Sequence, residues 1–243
     1  MYGWRRRIGL LVPSSNTTME PELYSFLPEG VSLHTSRVLQ VIETEEELLK
    51  MAGYARRAAE EVATAEVDLI LYGCTSGSFL KGEAFNDQLS KELSEFVGIK
   101  VITTSTAVKG ALEALNLKRI CLVTPYPEET NEKGKRWLES LGHRVVKTVE
   151  LVRSSYSEPI DNLQIGRLTP EFVYREIKRH APSDTDGLLI SCTNLRTMEI
   201  IGILEDDFGV PVVTSNQASL WAALGGVGCK GSVKGFGQLL AKN

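Results

Sequence analysis

A chain of 243 residues, 42% of them hydrophobic and 24% charged, holds material for one large domain or two ordinary ones, and its core needs no covalent staples. Its 27 Lys and Arg against 31 Asp and Glu leave a formal charge of -4, which supplies no basic field for nucleic acid or an anionic membrane, so a small acidic ligand must find local donors. Four cysteines (Cys74, Cys121, Cys192, Cys229) without close Cys-Cys or Cys-His spacing fit neither a disulfide framework nor a zinc site.

The amino-terminal Trp4-Arg5-Arg6-Arg7 with the apolar run behind it has the order of a signal peptide. The run falls short of the roughly 7 to 15 apolar residues of an h-region, however, and no small-residue cleavage site follows. No stretch approaches the roughly 18 apolar residues of a membrane-spanning helix. A cytoplasmic location is expected. From Ile8 to Pro13 the chain reads as a buried strand, and Ser14 to Glu22 as a polar turn entering a helix, with Ser, Thr and Asn as natural caps. A second strand is expected over Val31 to Val41. Thr44 and Glu47 have capping-box spacing and open a helix to about Ala65, with Leu48, Met51, Ala52, Ala55, Ala59 and Val62 as its apolar stripe.

Asp68 to Gly73 reads as the third strand, ending at Cys74. A helix from Phe79 to Phe96, a strand from Gly98 to Ser105 and a helix from Ala107 to Leu115 follow. Arg119 to Pro125 then repeats the opening: Arg119, Ile120 and Pro125 stand at one common offset from Arg7, Ile8 and Pro13. Leu188 to Asn194 repeats Ile70 to Ser76 after a gain of a few residues, each apolar run stopping at Cys-Thr. Gly209 to Thr214 repeats Gly98 to Thr103, and Ala218 and Ala222 follow as Ala107 and Ala111 do. Continuous apolar runs suit strands buried on both faces, and alternation with helices implies parallel sheets with right-handed crossovers. The expected fold is α/β: two pseudo-symmetric parallel-sheet lobes from an internal duplication, facing each other across a cleft. Residues 1–106 plus 217–243 are assigned to the first lobe and 107–216 to the second.

Ligands of open α/β sheets bind at the carboxyl ends of the strands, where Cys74 and Cys192 fall. A single buried cysteine is commonly an inert core residue, but two at equivalent places of a repeat point to chemistry. A thiol at a strand-to-helix turn is acidified by the backbone amides there and becomes nucleophile or base, while the same amides receive a carboxylate. Ser76 and Thr193 also fit as helix caps, Asn16 as a turn residue, and Tyr126 between Pro125 and Pro127 as a rigid loop residue.

Pro13-Ser14-Ser15-Asn16-Thr17-Thr18-Met19-Glu20, Gly73-Cys74-Thr75-Ser76-Gly77-Ser78, Val123-Thr124-Pro125-Tyr126, Asp161-Asn162 and Ser191-Cys192-Thr193 resemble the maleate cis-trans isomerase and arylmalonate decarboxylase branch of the aspartate/glutamate racemase superfamily. The likeness covers nearly the whole chain. It implies two catalytic cysteines, one from each lobe, no cofactor, no metal, a small carboxylic acid substrate and a homodimer. By resemblance Cys74 adds to the double bond of maleate and Cys192 donates and recovers the proton. Thr75, Ser76, Tyr126 and Thr193 match carboxylate-binding residues of the branch, and Asn16 and Asn162 match amides that position substrate.

Maleate to fumarate isomerisation through an adduct at Cys74 is therefore the leading expectation. A racemase of aspartate, glutamate or hydantoin type also uses two opposed cysteines; an arylmalonate decarboxylase keeps only the second and has glycine at the place of Cys74. A non-catalytic two-lobed binding module needs no paired thiols. Cys121 inside a strand and Cys229 in a Gly-rich tail are read as structural or incidental. His34, His143 and His180 lack metal spacing and read as surface or satisfied histidines, Arg37 as a solvated or core-edge residue. Gly73 to Gly77 lacks the Gly-Lys-Ser/Thr ending of a P-loop.

Overall fold

The apolar runs pair as parallel strands in two sheets of equal size and equivalent order. In the computed structural model, which describes residues 1–42, 44–151, 161–229 and 237–241, the first sheet holds β1 (Arg6–Pro13), β2 (Val31–Val38), β3 (Leu69–Tyr72) and β4 (Val101–Thr103) in the order β2-β1-β3-β4. The second holds β5 (Arg119–Thr124), β6 (Arg144–Glu150), β7 (Gly187–Ile190) and β8 (Val212–Thr214) in the order β6-β5-β7-β8. Register matches as well: Leu11 faces Tyr72 and Tyr72 faces Thr103 in one sheet, as Val123 faces Ile190 and Ile190 faces Thr214 in the other.

Helices complete the crossovers: α1 (Met19–Phe26), α2 (Glu45–Ala63), α3 (Thr75–Phe79), α4 (Glu83–Val97) and α5 (Thr104–Ala114), then α6 (Glu128–Ser140), α7 (Asn162–Gly166), α8 (Pro170–His180), α9 (Ile201–Phe208), α10 (Ser215–Gly226) and α11 (Gly237–Ala241). Equivalent threonines start the two helices that follow β4 and β8. Thr103 Oγ1 accepts from Thr106 N, and Thr214 forms a full capping box with Gln217. α5 and α10 pack on each other and each touches strands of both sheets. One apolar core accordingly runs continuously from Ile8, Leu10 and Leu71 through Ala107 and Ala111 to Ile120, Leu188 and Val213. A second, smaller core lies under α2 and α4 on the other face of the first sheet, and holds Leu48, Met51, Val62, Tyr72, Cys74 and Leu93.

Several expected boundaries move; the strand read from Gly98 to Ser105 narrows to β4, Val101–Thr103, and the helix read from Ala107 begins at Thr104. The helix read from Phe79 to Phe96 is broken: α3 begins directly after Cys74, and the chain turns at Gly82, whose φ of +82° suits glycine, before α4 starts. β2 stops at Val38, because Gln40 turns inward and is fully buried while Leu39, Val41 and Ile42 stay exposed. In α2 the stripe buries as expected except Ala52, which is only partly covered, and Ala58 joins it. Thr44 Oγ1 accepts from Glu47 N at 3.4 Å, and the Glu47 carboxylate is held by Lys50. Among the described residues no helix is long and apolar enough to cross a membrane.

Candidate active site

Both cysteines sit where the parallel ladders run out. Gly73 N donates to Leu11 O at 2.7 Å and Ser191 N to Val123 O at 2.8 Å, so each central strand is held to its last peptide and the next residue is a buried cysteine. Cys74 occupies the N-cap of α3, with extended backbone. Its Sγ lies 3.9 Å from Ser76 Oγ, and an imagined Cβ on Gly77 would fall 2.9 Å from that sulfur, so the thiol rests over a residue with no side chain. Ser78 anchors the turn by donating to the Cys74 carbonyl at 2.8 Å and meeting Ser105 Oγ at 2.6 Å.

Cys192 has a different setting. No α-helix starts behind it; a turn through Thr193 and Asn194 leads to a short 3-10 segment, Met198–Ile200, and then to α9. A backbone amide still reaches the sulfur, since Asn194 N donates to Cys192 Sγ at 3.4 Å. The expected strand-to-helix turn thus holds for Cys74 and not for Cys192.

Hydrogen bonds crossing between the two halves draw the loops together. Thr193 Oγ1 donates to Gly73 O at 3.2 Å and accepts from Asn16 Nδ2 at 3.1 Å, so the residue after Cys192 touches the residue before Cys74. Asn16 Oδ1 accepts from Thr18 N and Met19 N, both at 2.9 Å, which fixes the amide at the entry of α1. Arg37 braces this turn: its guanidinium donates to the carbonyls of Ser14 and Asn16 and pairs with Glu20. Thr75 Oγ1 crosses to Ser215 Oγ at 2.9 Å, at the first residue of α10.

Asn162 joins from α7. The capping box of Asp161 and Gln164 sets the first turn, and Asn162 Nδ2 donates to Ser15 Oγ at 3.1 Å and Gln40 Oε1 at 2.6 Å. Asn194 ties these parts together. Its Oδ1 accepts from Thr17 N at 2.9 Å, its Nδ2 donates to Asn162 O at 2.5 Å, and its carbonyl accepts from Thr18 Oγ1 at 3.0 Å. Beneath lies Glu22, whose carboxylate accepts from Thr197 N, Met198 N and Asn216 Nδ2. Burial raises the Glu22 pKa, against the lowering effect of those hydrogen bonds.

Tyr126 follows β5, buried, with its carbonyl accepting from Asn131 Nδ2 at 2.9 Å. It shares a small cavity with Phe79, Trp137 and Ser191, so it faces the end of α3 and the residue before Cys192. Asn16, Thr193, Asn162, Thr75 and the two cysteine turns are therefore joined by one set of contacts, and Ser76 and Tyr126 border it. The sequence reading passed over Ser15, Gln40, Glu22, Asn194 and Ser215, which hold those residues, because nothing in local spacing marks them. A cavity of about 480 Å³ on the outer side of the joint is lined by Thr17, Glu22, Gly166, Arg196 and Glu199 and includes neither cysteine.

Cys121 is buried in β5 and its thiol is pushed up to about 12 by desolvation, which suits an inert core position. Cys229 is buried too. His34 Nε2 meets Ser32 Oγ at 2.9 Å and His180 lies 3.6 Å from Glu176. His143 departs from expectation: it is buried, with Nδ1 against Leu117 O and Nε2 lacking a partner. Among the described residues no group of three or more His, Cys, Asp or Glu has the arrangement to hold a metal ion.

The family model described as arylmalonate decarboxylase matches residues 8–240. The chain is 32% identical to the arylmalonate decarboxylase of Bordetella bronchiseptica, over 94% of this chain and 91% of the relative. It is 30% identical to the maleate isomerase of Nocardia farcinica, over 98% and 96%. A solved structure of that Nocardia maleate cis-trans isomerase, a cysteine-to-serine mutant with a covalently bound succinylcysteine intermediate, superposes with a TM-score of 0.89 at 28% identity, covering 98% of this chain and 99% of the other.

Proposed function

Since this chain belongs to the arylmalonate decarboxylase family, and carries a cysteine in each of its two sheet ends, we propose that it is a cofactor-independent maleate cis-trans isomerase. The observation that carries the reading is the direct contact of the two cysteine turns, Thr193 Oγ1 on Gly73 O at 3.2 Å, flanked by the amides of Asn16 and Asn162. Two thiols on opposite walls of one small polar site are the complete equipment for acid-base and covalent catalysis.

Cys74, as thiolate, attacks one alkene carbon of maleate. A carbon-sulfur bond forms, the π pair moves to the neighbouring carbon and is delocalised into its carboxylate as an aci-carboxylate. Cys192 gives its proton to that carbon, leaving a succinyl thioether on Cys74 and a thiolate on Cys192. What was a double bond is now single and rotates. Cys192 then removes the proton from the same carbon, the electron pair re-forms the double bond, and the carbon-sulfur bond breaks to release fumarate and the Cys74 thiolate.

Charge accumulates on the carboxylate during both steps, so preorganised donors must face it. We assign that work to Thr75, Ser76 and Thr193 with their backbone amides, and to Tyr126; Asn16 and Asn162 position the substrate. The unequal surroundings of the two thiols suit unequal tasks. Cys74 stands at the start of α3 and Cys192 in a turn whose Asn194 N donates to its sulfur, and we assign the nucleophile's task to the first and the proton's to the second.

We further assign residues 1–106 with 217–243 to the first lobe and 107–216 to the second; positions 43, 152–160, 230–236 and 242–243 of these segments lie outside the described residues. A homodimer is assigned by family resemblance, and the four free cysteines suit a reducing cytoplasm. The test is proton NMR of maleate in deuterated buffer with the purified protein. Fumarate must appear without added metal or nucleotide and be lost in both Cys74→Ala and Cys192→Ala. Inert maleate together with α-proton exchange in an amino acid would replace the isomerase with a racemase.

A further inference from the structure

The last residue of β3, Tyr72, is wholly buried, and its hydroxyl has no hydrogen-bond partner. Leaving such a group unpaired is costly, and native proteins seldom do so without reason. The ring packs in the smaller core beside Leu48, Met51 and Cys74, two residues from the thiol. Its head reaches the reacting end of the site: the point where a Cβ on Gly77 would stand is 3.4 Å from Tyr72 Oη and 2.9 Å from Cys74 Sγ. The two heads converge over residue 77, where any side chain would crowd the sulfur and only glycine leaves the approach bare.

We propose that Tyr72 is a positioning residue for the nucleophile: when Cys74 ionises, its sulfur moves into the space over Gly77 and accepts a hydrogen bond from the Tyr72 hydroxyl. This rests on the assignment of Cys74 as the nucleophile and adds the group that holds its charge. The apolar wall makes the bond count, since a charge-assisted hydrogen bond gains strength where water is excluded. The phenol keeps its proton throughout. Burial, and then the charge at Cys74, raise its pKa well above the usual value, so it serves as donor and not as base. Of the charged groups on the helices around α3, Glu45 pairs with Lys133, and Glu83 pairs with Lys109 and accepts from Trp137 Nε1. Ser76 Oγ, at 3.9 Å, is a second hydroxyl near the sulfur.

The experiment is the pH dependence of iodoacetamide labelling at Cys74, followed by mass spectrometry of its peptide, in the intact protein and in Tyr72→Phe. This readout needs no substrate, so it stands whether or not maleate is turned over, while fumarate formation by the unmodified protein tests the isomerase separately. Loss of a hydrogen bond to a charged acceptor corresponds to about one to two pH units in the labelling midpoint, upward for Tyr72→Phe. Turnover at neutral pH falls by about ten- to a hundredfold and recovers as pH is raised. Because the hydroxyl has no partner in the resting fold, Tyr72→Phe keeps or raises the melting temperature. A more acidic donor, 3-fluorotyrosine at position 72, moves the midpoint downward. Superimposable labelling curves for the protein and Tyr72→Phe overturn the proposal, as does a large loss of stability in Tyr72→Phe with the curve unmoved.

Discussion

Asn194→Ala is the sharpest probe of the joint between the halves. The side chain carries two of its contacts, Thr17 N at 2.9 Å and Asn162 O at 2.5 Å, while the bond from Asn194 N to Cys192 Sγ belongs to the backbone and survives. Truncation therefore leaves an amide N–H and a carbonyl unpaired without touching either thiol. Each such loss costs about 1–3 kcal/mol, and because the two share one side chain we expect about 2–4 kcal/mol together. For a chain of this size that lowers the melting temperature by about 4–16 °C. The larger effect falls on catalysis. Asn162 and the turn of Asn16 lose their common anchor, and positioning errors of about 1 Å cost roughly a hundredfold in rate. The assay is kcat/KM for maleate beside a thermal melt, at a temperature where the variant is fully folded. Asn194→Asp separates the bonds, since a carboxylate still accepts from Thr17 N and cannot donate to Asn162 O. Loss of stability in Asn194→Ala with kcat/KM unchanged would refute the reasoning: the network would then hold the fold and not the substrate.

Cys192→Ser incubated with maleate accumulates an adduct on the Cys74 peptide, detected by mass spectrometry; an adduct at Cys192 in Cys74→Ser would reverse the roles of the two thiols. Glu22 gives a pH signature. Its folded-state pKa is raised above 4.5, so the native state binds more protons than the unfolded one, and the stability contributed is present below about 4.5 and lost as pH rises through the native value. Urea unfolding across that range shows a falling stability that Glu22→Gln flattens, and an unchanged slope excludes Glu22 as its source. Cys121, with its thiol held up to about 12, stays unlabelled by iodoacetamide at neutral pH in the native protein; rapid labelling there would show that its strand is open to solvent.

The strands and the placing of both cysteines were legible because continuous apolar runs broken by Cys-Thr carry their own boundaries, and because the repeat made each half a check on the other. The helix after Cys74 was read too late. Thr75-Ser76-Gly77-Ser78 has no apolar period, and α3 forms there as a short segment begun at the end of a buried strand. Helical spacing also failed at Cys192, where the equivalent sequence makes a turn. The supporting residues were invisible for a different reason. Asn194 meets Thr17, Glu22 meets Thr197 and Thr75 meets Ser215 across separations of more than a hundred residues, and no local pattern records such a pairing. Tyr72 read as one more apolar strand residue, since only the position of its hydroxyl sets it apart.

The two helices between the sheets also bear on how the protein is made. α10 covers strands of the first sheet, β3 and β4, yet it leaves the ribosome after the whole second sheet. The amino-terminal half, synthesised first, thus waits longest for its final surface. Until then the apolar faces of α5, Leu71 and Ile102 stand uncovered, and the last docking step joins segments far apart in the chain, which slows folding and prolongs exposure to aggregation. Cutting the chain between the repeats would not give two independent folding units; the amino-terminal piece would depend on α10 supplied in trans.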